Sequence, residues 1–346
     1  MPLIKTSLLI GYGSVGQYHA RILHGRYERL VIIDINENAR AKASAEYPKA
    51  LVLSNIAELE NHDWDWAGTL AVIANWGPDH ETTFLELVRL GIKAVLCEKP
   101  LANSVAAGTQ MIGEAEKSEV TLGVHHHHRY SGFVSGINSL AEDLELGAPC
   151  SVIMHGGALC TVTNGIHYID LISELFGKGP DSVISTVTGD PINPRSKDLM
   201  FYGGTTCWSF GEKRELVMSF SNLSSLSLLG SIYYRHTVIH MARNLEIEIC
   251  YRNKEEIQKF PAITRVGLAK NIIFKGSIPG IVPLEERTKS ILNEIESGKV
   301  SIFPARMALE ALGACIGALT AGIKKSSVLL PIDPQSEEGQ RKWPIS

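Results

Sequence analysis

The chain has 346 residues, 45% of them hydrophobic and 20% charged, and a formal net charge of −4. It exceeds the roughly 250–300 residues at which a single core stops growing, so two domains of an ordinary water-soluble globular protein are expected. No long basic run interrupts the weak negative charge, which argues against nucleic acid or an anionic membrane as partner.

The first 125 residues alternate short apolar runs with helical patterns, the mark of a doubly wound parallel α/β sheet. Strands are predicted at Leu8–Ile10, Leu30–Ile33, Leu51–Leu53, Leu70–Ala74, Ala94–Cys97 and Val120–Val124, and helices at Ser14–Leu23, Asn36–Glu46, His80–Leu90 and Ser104–Lys117. The apolar stretch at the N-terminus is short, holds one lysine and becomes the first strand, so it does not read as a signal peptide. That strand runs straight into Gly11-Tyr12-Gly13-Ser14-Val15-Gly16. Gly11 allows a tight turn, Gly13 a close approach of backbone to a pyrophosphate, and Gly16 tight packing of the following helix on the sheet. The helix presents unpaired N–H groups and a positive dipole end at Ser14 and Val15, where phosphates can sit. Asp34 stands at the end of the second strand, 18 residues beyond Gly16. An acid there accepts hydrogen bonds from ribose hydroxyls and repels a 2′-phosphate, which favours NAD over NADP.

The fifth strand ends in Cys97-Glu98-Lys99-Pro100. Ligands of such sheets bind outside the carboxyl ends of the strands, which puts Lys99 where an ammonium can stabilise an alkoxide. Pro100 fixes the local backbone and favours a cis peptide. The competing reading is a surface Glu-Lys pair at a strand end.

After residue 150 the runs Ser151–Met154, Ser182–Thr188, Thr205–Phe210, Glu215–Ser219, Ser231–His240 and Leu245–Cys250 are β-rich, following a predicted Ser135–Glu145 helix. Strands in succession argue for a mostly antiparallel sheet. Two helices, Leu284–Ile295 and Pro304–Lys324, come next; the longest apolar run, Met307–Gly322, contains Glu310 and many small residues and reads as too short to span a bilayer. Within this part, His167 and Asp170 are three residues apart on an apparent helix and share a face, while Ile166, Ile169 and Leu175 turn to the core. A histidine suits acceptance of a hydroxyl proton near neutral pH, and equally serves as a structural helix residue. The six cysteines, at 97, 150, 160, 207, 250 and 315, form no Cys-x-x-Cys pair, which argues against structural zinc and for free thiols in a reducing, cytoplasmic setting.

Three signatures occur in order: Gly11-x-Gly13-x-x-Gly16-x-x-His19, Glu98-Lys99-Pro100 and His167-x-x-Asp170-Leu171. Together they resemble the Gfo/Idh/MocA family of oxidoreductases along nearly the whole chain, including the Phe303–Lys324 helix and the Val328–Pro331 strand. The resemblance implies an N-terminal Rossmann domain (1–125) that binds NAD. It also implies a C-terminal α+β domain (126–346) whose large, mostly antiparallel open sheet pairs copies into a homodimer or homotetramer. Lys99 and His167 become the implied catalytic pair. The segment Asn75-Trp76-Gly77-Pro78-Asp79-His80 resembles the loop flanking the nicotinamide ribose. Asn75 is then a ribose partner, and Trp76 either a wall of the site or a packing residue. His80, Glu98 and Lys99 complete a cofactor set with Gly11, Gly13, Ser14, Val15, Gly16 and Asp34. By the same similarity His125–His128 line the substrate cleft, with His127 facing it and Arg129 structural. Neighbours on a strand point to opposite faces and no acid or cysteine cluster accompanies the histidines, so no metal is expected. Thr163, Asn164 and Asp170 join His127 as candidate substrate contacts.

One departure matters. Many members of the family carry an aspartate four residues before the histidine, where this chain has Thr163. Neither Thr163 nor Asn164 supplies a charge to balance His167, although Asn164 can hydrogen-bond a substrate hydroxyl. The expected activity is hydride transfer between nicotinamide and a secondary alcohol or ketone of a sugar, cyclitol or sugar derivative. Two alternatives remain open: an NAD-recycling enzyme catalysing net hydrolysis, elimination or epimerisation, and a non-catalytic NAD-binding regulatory protein.

Overall fold

The computed structural model describes residues 3–62, 64–157, 160–190, 199–221, 223–225, 228–242, 246–252, 254–259 and 271–346. The chain divides into two compact units. The first comprises Met1–Ser131, Val282–Gly313 and Asp333–Ser346; the second comprises Gly132–Ile281 and Ala314–Ile332.

The first unit begins β1 (Thr6–Ile10), α1 (Ser14–Arg26), β2 (Arg29–Ile33), α2 (Glu37–Glu46), β3 (Leu51–Leu53), β4 (Thr69–Ile73), α3 (His80–Arg89), β5 (Ala94–Cys97), α4 (Val105–Lys117) and β6 (Thr121–Val124). The strands form one sheet in the order β3-β2-β1-β4-β5-β6, with every pairing parallel. Parallel strands covered on both faces read as continuous apolar runs, and β1 and β4 are buried at every residue. Helix starts are set by side chains that accept orphan N–H groups: Asn36 caps α2 through the amides of Asn38 and Ala39, and Ser104 caps α4 through Ala107.

The second unit carries α5 (Phe133–Asp143), β7 (Ser151–Gly157), α6 (Gly165–Phe176), β8 (Ser182–Ser185), β9 (Thr188–Asp190), β10 (Phe201–Phe210), β11 (Arg214–Ser221), β12 (Leu229–Tyr233), β13 (Thr237–Met241), β14 (Glu246–Tyr251), α7 (Lys254–Lys259) and β15 (Asn271–Ser277). The remaining elements are α8 (Leu284–Glu296), α9 (Ala305–Lys324), β16 (Val328–Leu329) and α10 (Glu337–Gln340). Among the described residues ten strands make the second sheet, in the order β15-β14-β13-β12-β7-β11-β10-β8-β16 with β9 beside β10. Only β7 and β11 run parallel among the described pairs. Burial alternates along β11, where Leu216, Met218 and Phe220 face inward. Gly165, at the start of α6, has Met218 and Phe220 at 3.3 and 3.4 Å from where a Cβ would stand, so the missing side chain lets the helix seat closely. The indole Nε1–H of fully buried Trp208 donates to the carbonyl of Ala314 at 3.0 Å, fixing the later half of α9 on the same face. On the other face Ile153, Ile184, Leu229 and Tyr233 are exposed.

Several expectations change. Ser231–His240 was expected as one run but is two strands, because Tyr234 N–H bonds back to the Thr237 carbonyl at 2.8 Å and closes a hairpin. Strand β15 lacks a predicted counterpart, and Leu245 lies outside the described residues. The expected division at residue 125 differs from the structure, in which 282–313 and 333–346 return to the first unit. The return is a packing requirement. Gly123 of β6 has Ile295 2.6 Å from its would-be Cβ, so α8 lies directly on the sheet through Ile291, Leu292 and Ile295, all buried. The run around Met307–Gly322 belongs to a 20-residue helix, which by length and composition alone is long enough to cross a membrane, contrary to expectation; 67% of its most apolar window is buried in the protein.

Candidate active site

The turn after β1 is built from three glycines with three different surroundings. Gly11 has φ +95°, and a Cβ there would stand 2.6 Å from the carbonyl oxygen of Ala74. A Cβ on Gly16 would stand 2.0 Å from the carbonyl oxygen of Gly11, so only glycine lets α1 pack here. Gly13 is the contrast: nothing lies within 4 Å of its would-be Cβ. It is also the N-cap of α1, with no side-chain cap and no acid in the first turn, and Ser14 and Val15 are exposed. The positive end of a 13-residue helix therefore opens onto space left by a missing side chain. This arrangement fits the pyrophosphate of a dinucleotide.

Asp34 follows β2 and is held before any ligand arrives. Its Oδ2 accepts the Tyr12 N–H at 2.6 Å and its Oδ1 the Asn36 N–H at 2.7 Å. One Nη of Arg40 donates to the carbonyls of Asp34 and Ile35, both at 2.9 Å, and pins the turn. A carboxylate clamped this way keeps lone pairs for two ribose hydroxyls and presents its charge against a 2′-phosphate.

The ends of β4 and β5 share the same edge of the sheet. The Glu98 N–H donates to the Ile73 carbonyl at 2.8 Å, and the Lys99–Pro100 peptide is cis. Lys99 is half-buried. Asn75 donates through Nδ2 to Thr83 at 2.8 Å, while its buried Oδ1 has no partner among the described residues and so has acceptor capacity left. Trp76 is 48% exposed, which suits a wall better than a core. His80 is a correction: it is buried, its Nδ1 and Nε2 lie 2.9 and 3.3 Å from the carbonyls of Pro100 and Asn75, and burial lowers its basicity. It braces these two loops.

Glu98 is buried, with Oε1 2.7 Å from both His19 Nε2 and His125 Nδ1. Burial alone would raise its pKa, but the attraction of His125 and the hydrogen bonds from His125 and His19 hold the carboxyl well below the usual range. Burial pushes His19 the other way, toward the neutral ring. These three groups form one of the described clusters with metal-ligand donors, yet each nitrogen sits on the same oxygen at hydrogen-bond distance. Of the remaining histidines, His126 stacks on Phe303 with centroids 4.6 Å apart, and Arg129 lies over the same ring. His127 is half-buried with Arg287 Nη1 at 3.5 Å from its Nδ1; burial first, then the charges of His128, His125 and Arg287, lower its pKa to about 2.

In the second unit, Thr163 and Asn164 stand just before α6, and His167 and Asp170 lie in its first two turns. Thr163, His167 and Asp170 are buried. Asn164 Oδ1 accepts the Cys160 N–H at 3.1 Å and so closes the preceding turn.

Comparison with known proteins adds to the geometry. Residues 5–126 match the Gfo/Idh/MocA oxidoreductase family, described as an NAD-binding Rossmann fold. Over those residues the first unit is similar to the NAD-binding domain of that family. An inositol 2-dehydrogenase/D-chiro-inositol 3-dehydrogenase of Shouchella clausii is 37% identical to this chain over 153 residues, and the match spans 42% of each protein. The matched stretch is thus about two-fifths of that relative's length. Two solved structures share the fold over most of the chain. An oxidoreductase of Agrobacterium radiobacter in complex with NAD+, L-tartaric acid and magnesium has a TM-score of 0.70 at 13% identity, covering 94% of this chain and 98% of its own. The WlbA dehydrogenase of Bordetella pertussis with NADH and UDP-GlcNAcA has a TM-score of 0.70 at 17% identity, covering 95% of this chain and 100% of its own.

Sequence reasoning missed the partners of Glu98, although His19 stood inside the glycine signature and His125 at a strand end. It also missed Arg287, which no local pattern marks and which reaches His127 from a helix 160 residues further along.

Proposed function

We propose that the protein is an NAD-dependent oxidoreductase acting on a secondary alcohol or ketone of a sugar, cyclitol or sugar derivative. The observation that carries this reading is the shared sheet edge: the open helix end at Gly13, the clamped Asp34 and the loop of Lys99 all belong to the carboxyl side of one parallel sheet. NAD, when bound, supplies the acceptor and donor of hydride. Gly11, Gly13 and Gly16 with the first amides of α1 hold its pyrophosphate, and Asp34 takes the adenosine ribose. The acceptor left on Asn75 and the exposed face of Trp76 suit its nicotinamide end.

Lys99 donates a hydrogen bond to the substrate oxygen and stabilises the alkoxide that develops as hydride leaves. His167 takes the hydroxyl proton, and in reduction returns it. Asp170, one turn along α6, and Thr163 complete the substrate side, and His127 offers a neutral imidazole. Relatives named as inositol dehydrogenases support the polyol class. The exposed Ile153, Ile184, Leu229 and Tyr233 support pairing of the second sheet with another copy of the chain, a homodimer or homotetramer, and light scattering of a monomer would refute that part.

The test is a screen of polyols, aldoses, sugar acids and nucleotide sugars with NAD, followed at 340 nm as about a tenfold or larger rise over background, well within what acid–base catalysis supplies. NADH formation supports the reading. Substrate consumption without net NADH points instead to internal recycling, and NAD binding with no turnover of any compound overturns the enzyme assignment.

A further inference from the structure

We propose that Glu98 is a positioning residue for Lys99: a buried carboxylate, clamped by His19 and His125, fixes the backbone from which the lysine departs. The inference rests on the role given to Lys99 above. Three donors converge on this side chain. His19 Nε2 and His125 Nδ1 lie 2.7 Å from Oε1, and the Lys99 N–H donates to Oε2 at 3.2 Å. His19, Glu98 and His125 are 1, 7 and 4% exposed. They come from α1, the end of β5 and the end of β6, so one carboxylate ties together three elements and the lysine's own backbone N–H.

The network continues outward. His125 Nε2 lies 2.9 Å from the Thr288 hydroxyl, which lies 2.8 Å from that of Tyr18. Glu98 is thereby registered against α8 as well as against the sheet. A buried ion is costly, and a well-packed apolar side chain would serve stability as well or better. What an apolar residue could not do is hold the Lys99 amide and place a fixed negative charge one residue from the ammonium. That charge is felt around the site, by His80, Tyr18 and His127. No side chain of the cluster needs to touch the substrate. Its effect passes through Lys99.

The full-length chain is tested as Glu98→Gln and Glu98→Asp. In Glu98→Gln the amide nitrogen opposes either both imidazoles or the Lys99 N–H, depending on which oxygen it replaces, and the charge is gone. With the compound that the screen returns, kcat is expected to fall about tenfold to a hundredfold, the order that misplacement of a reacting group by an ångström brings. KM and NADH affinity are expected to stay near wild type. A second readout needs no substrate: the rate at which acetic anhydride acylates Lys99, followed by peptide mass spectrometry across pH. Loss of the neighbouring charge moves that profile to lower pH by about half a unit to one unit. Glu98→Asp keeps the charge at a shorter reach, so its acylation profile stays at the wild-type position while kcat still falls. A variant that is merely less stable melts earlier with the wild-type acylation profile and kcat per folded molecule, and that result overturns the proposal. A shifted profile in a protein that turns over no compound, or a Lys99→Met variant with full activity, leaves the positioning standing and overturns the dehydrogenase role of the lysine instead.

Discussion

Replacing Gly13 by alanine separates the demands of the protein from those of its cofactor. The backbone at Gly13 has φ −71° and ψ −167°, which any L-residue adopts, and nothing stands within 4 Å of the added methyl. Losing glycine at an N-cap costs up to about 1 kcal/mol, and stiffening the unfolded chain returns about 0.4–1 kcal/mol. The two nearly cancel, so the melting temperature should move by no more than about 2–4 °C. The cofactor has no such freedom. A methyl group on this surface pushes a phosphate off the amides of α1, and one charge-assisted hydrogen bond is worth about 1.5–3 kcal/mol, or roughly tenfold to a hundredfold in affinity. Gly16→Ala behaves in the opposite order. Its Cβ would sit 2.0 Å from a backbone oxygen where ordinary contact begins at 3.4 Å, so the turn itself must move by more than an ångström. Overpacking of that kind costs about 1–3 kcal/mol or more. NADH fluorescence titration beside a thermal melt reads both quantities in each variant. Gly13→Ala with wild-type NADH affinity would refute the cradle, however well the rest of the fold matches.

Asp34→Ser should weaken NADH binding and narrow the difference between NADH and NADPH. It should also cost about 1–3 kcal/mol of stability, because the Tyr12 N–H loses its acceptor at a buried position; an unchanged preference between the two cofactors removes the ribose assignment. His167→Ala should lower kcat by about 10²–10⁴ with NADH affinity unchanged, and normal turnover takes the histidine out of the mechanism. Stability should fall with acid. The imidazoles of His19, His80 and His127 are held neutral in the fold, His127 down to about 2, so below about pH 6.5 the unfolded chain binds protons that the folded chain does not. Glu98 acts in the same direction at lower pH, since its depressed pKa stabilises the fold above its unfolded value and that stabilisation is lost on acidification. Thermal melts should therefore be lower at pH 5 than at pH 7.5, and His127→Gln should reduce the difference; equal drops in both proteins contradict the burial argument.

The parts of the fold legible in the sequence are those where one residue type has one physical reason to be there. Apolar runs give β1, β2, β4 and β5 because strands covered on both faces have no polar side. Asn36 and Ser104 announce α2 and α4 because their oxygens cap the first turn. The glycine turn and Asp34 are legible for the same reason. What was hidden depends on distant partners. Glu98 beside Lys99 looks like a surface pair until His19 and His125 close on it from elements 79 and 27 residues away in the chain. His80 looks available until burial encloses its ring between the Pro100 and Asn75 carbonyls. The β12–β13 turn passes through Tyr234, Arg235 and His236, with no glycine or proline to mark it. Nothing in the local pattern of Leu284–Glu296 says that the helix lies on β6.

The course of α8 also governs how this architecture can be cut and recombined. A fragment ending at residue 131 would leave the face of β6 at Gly123 without Ile291 and Ile295, and His125 without Thr288. The nucleotide-binding half is therefore no detachable head piece: transplanting it onto another scaffold would have to carry along a helix encoded 150 residues downstream.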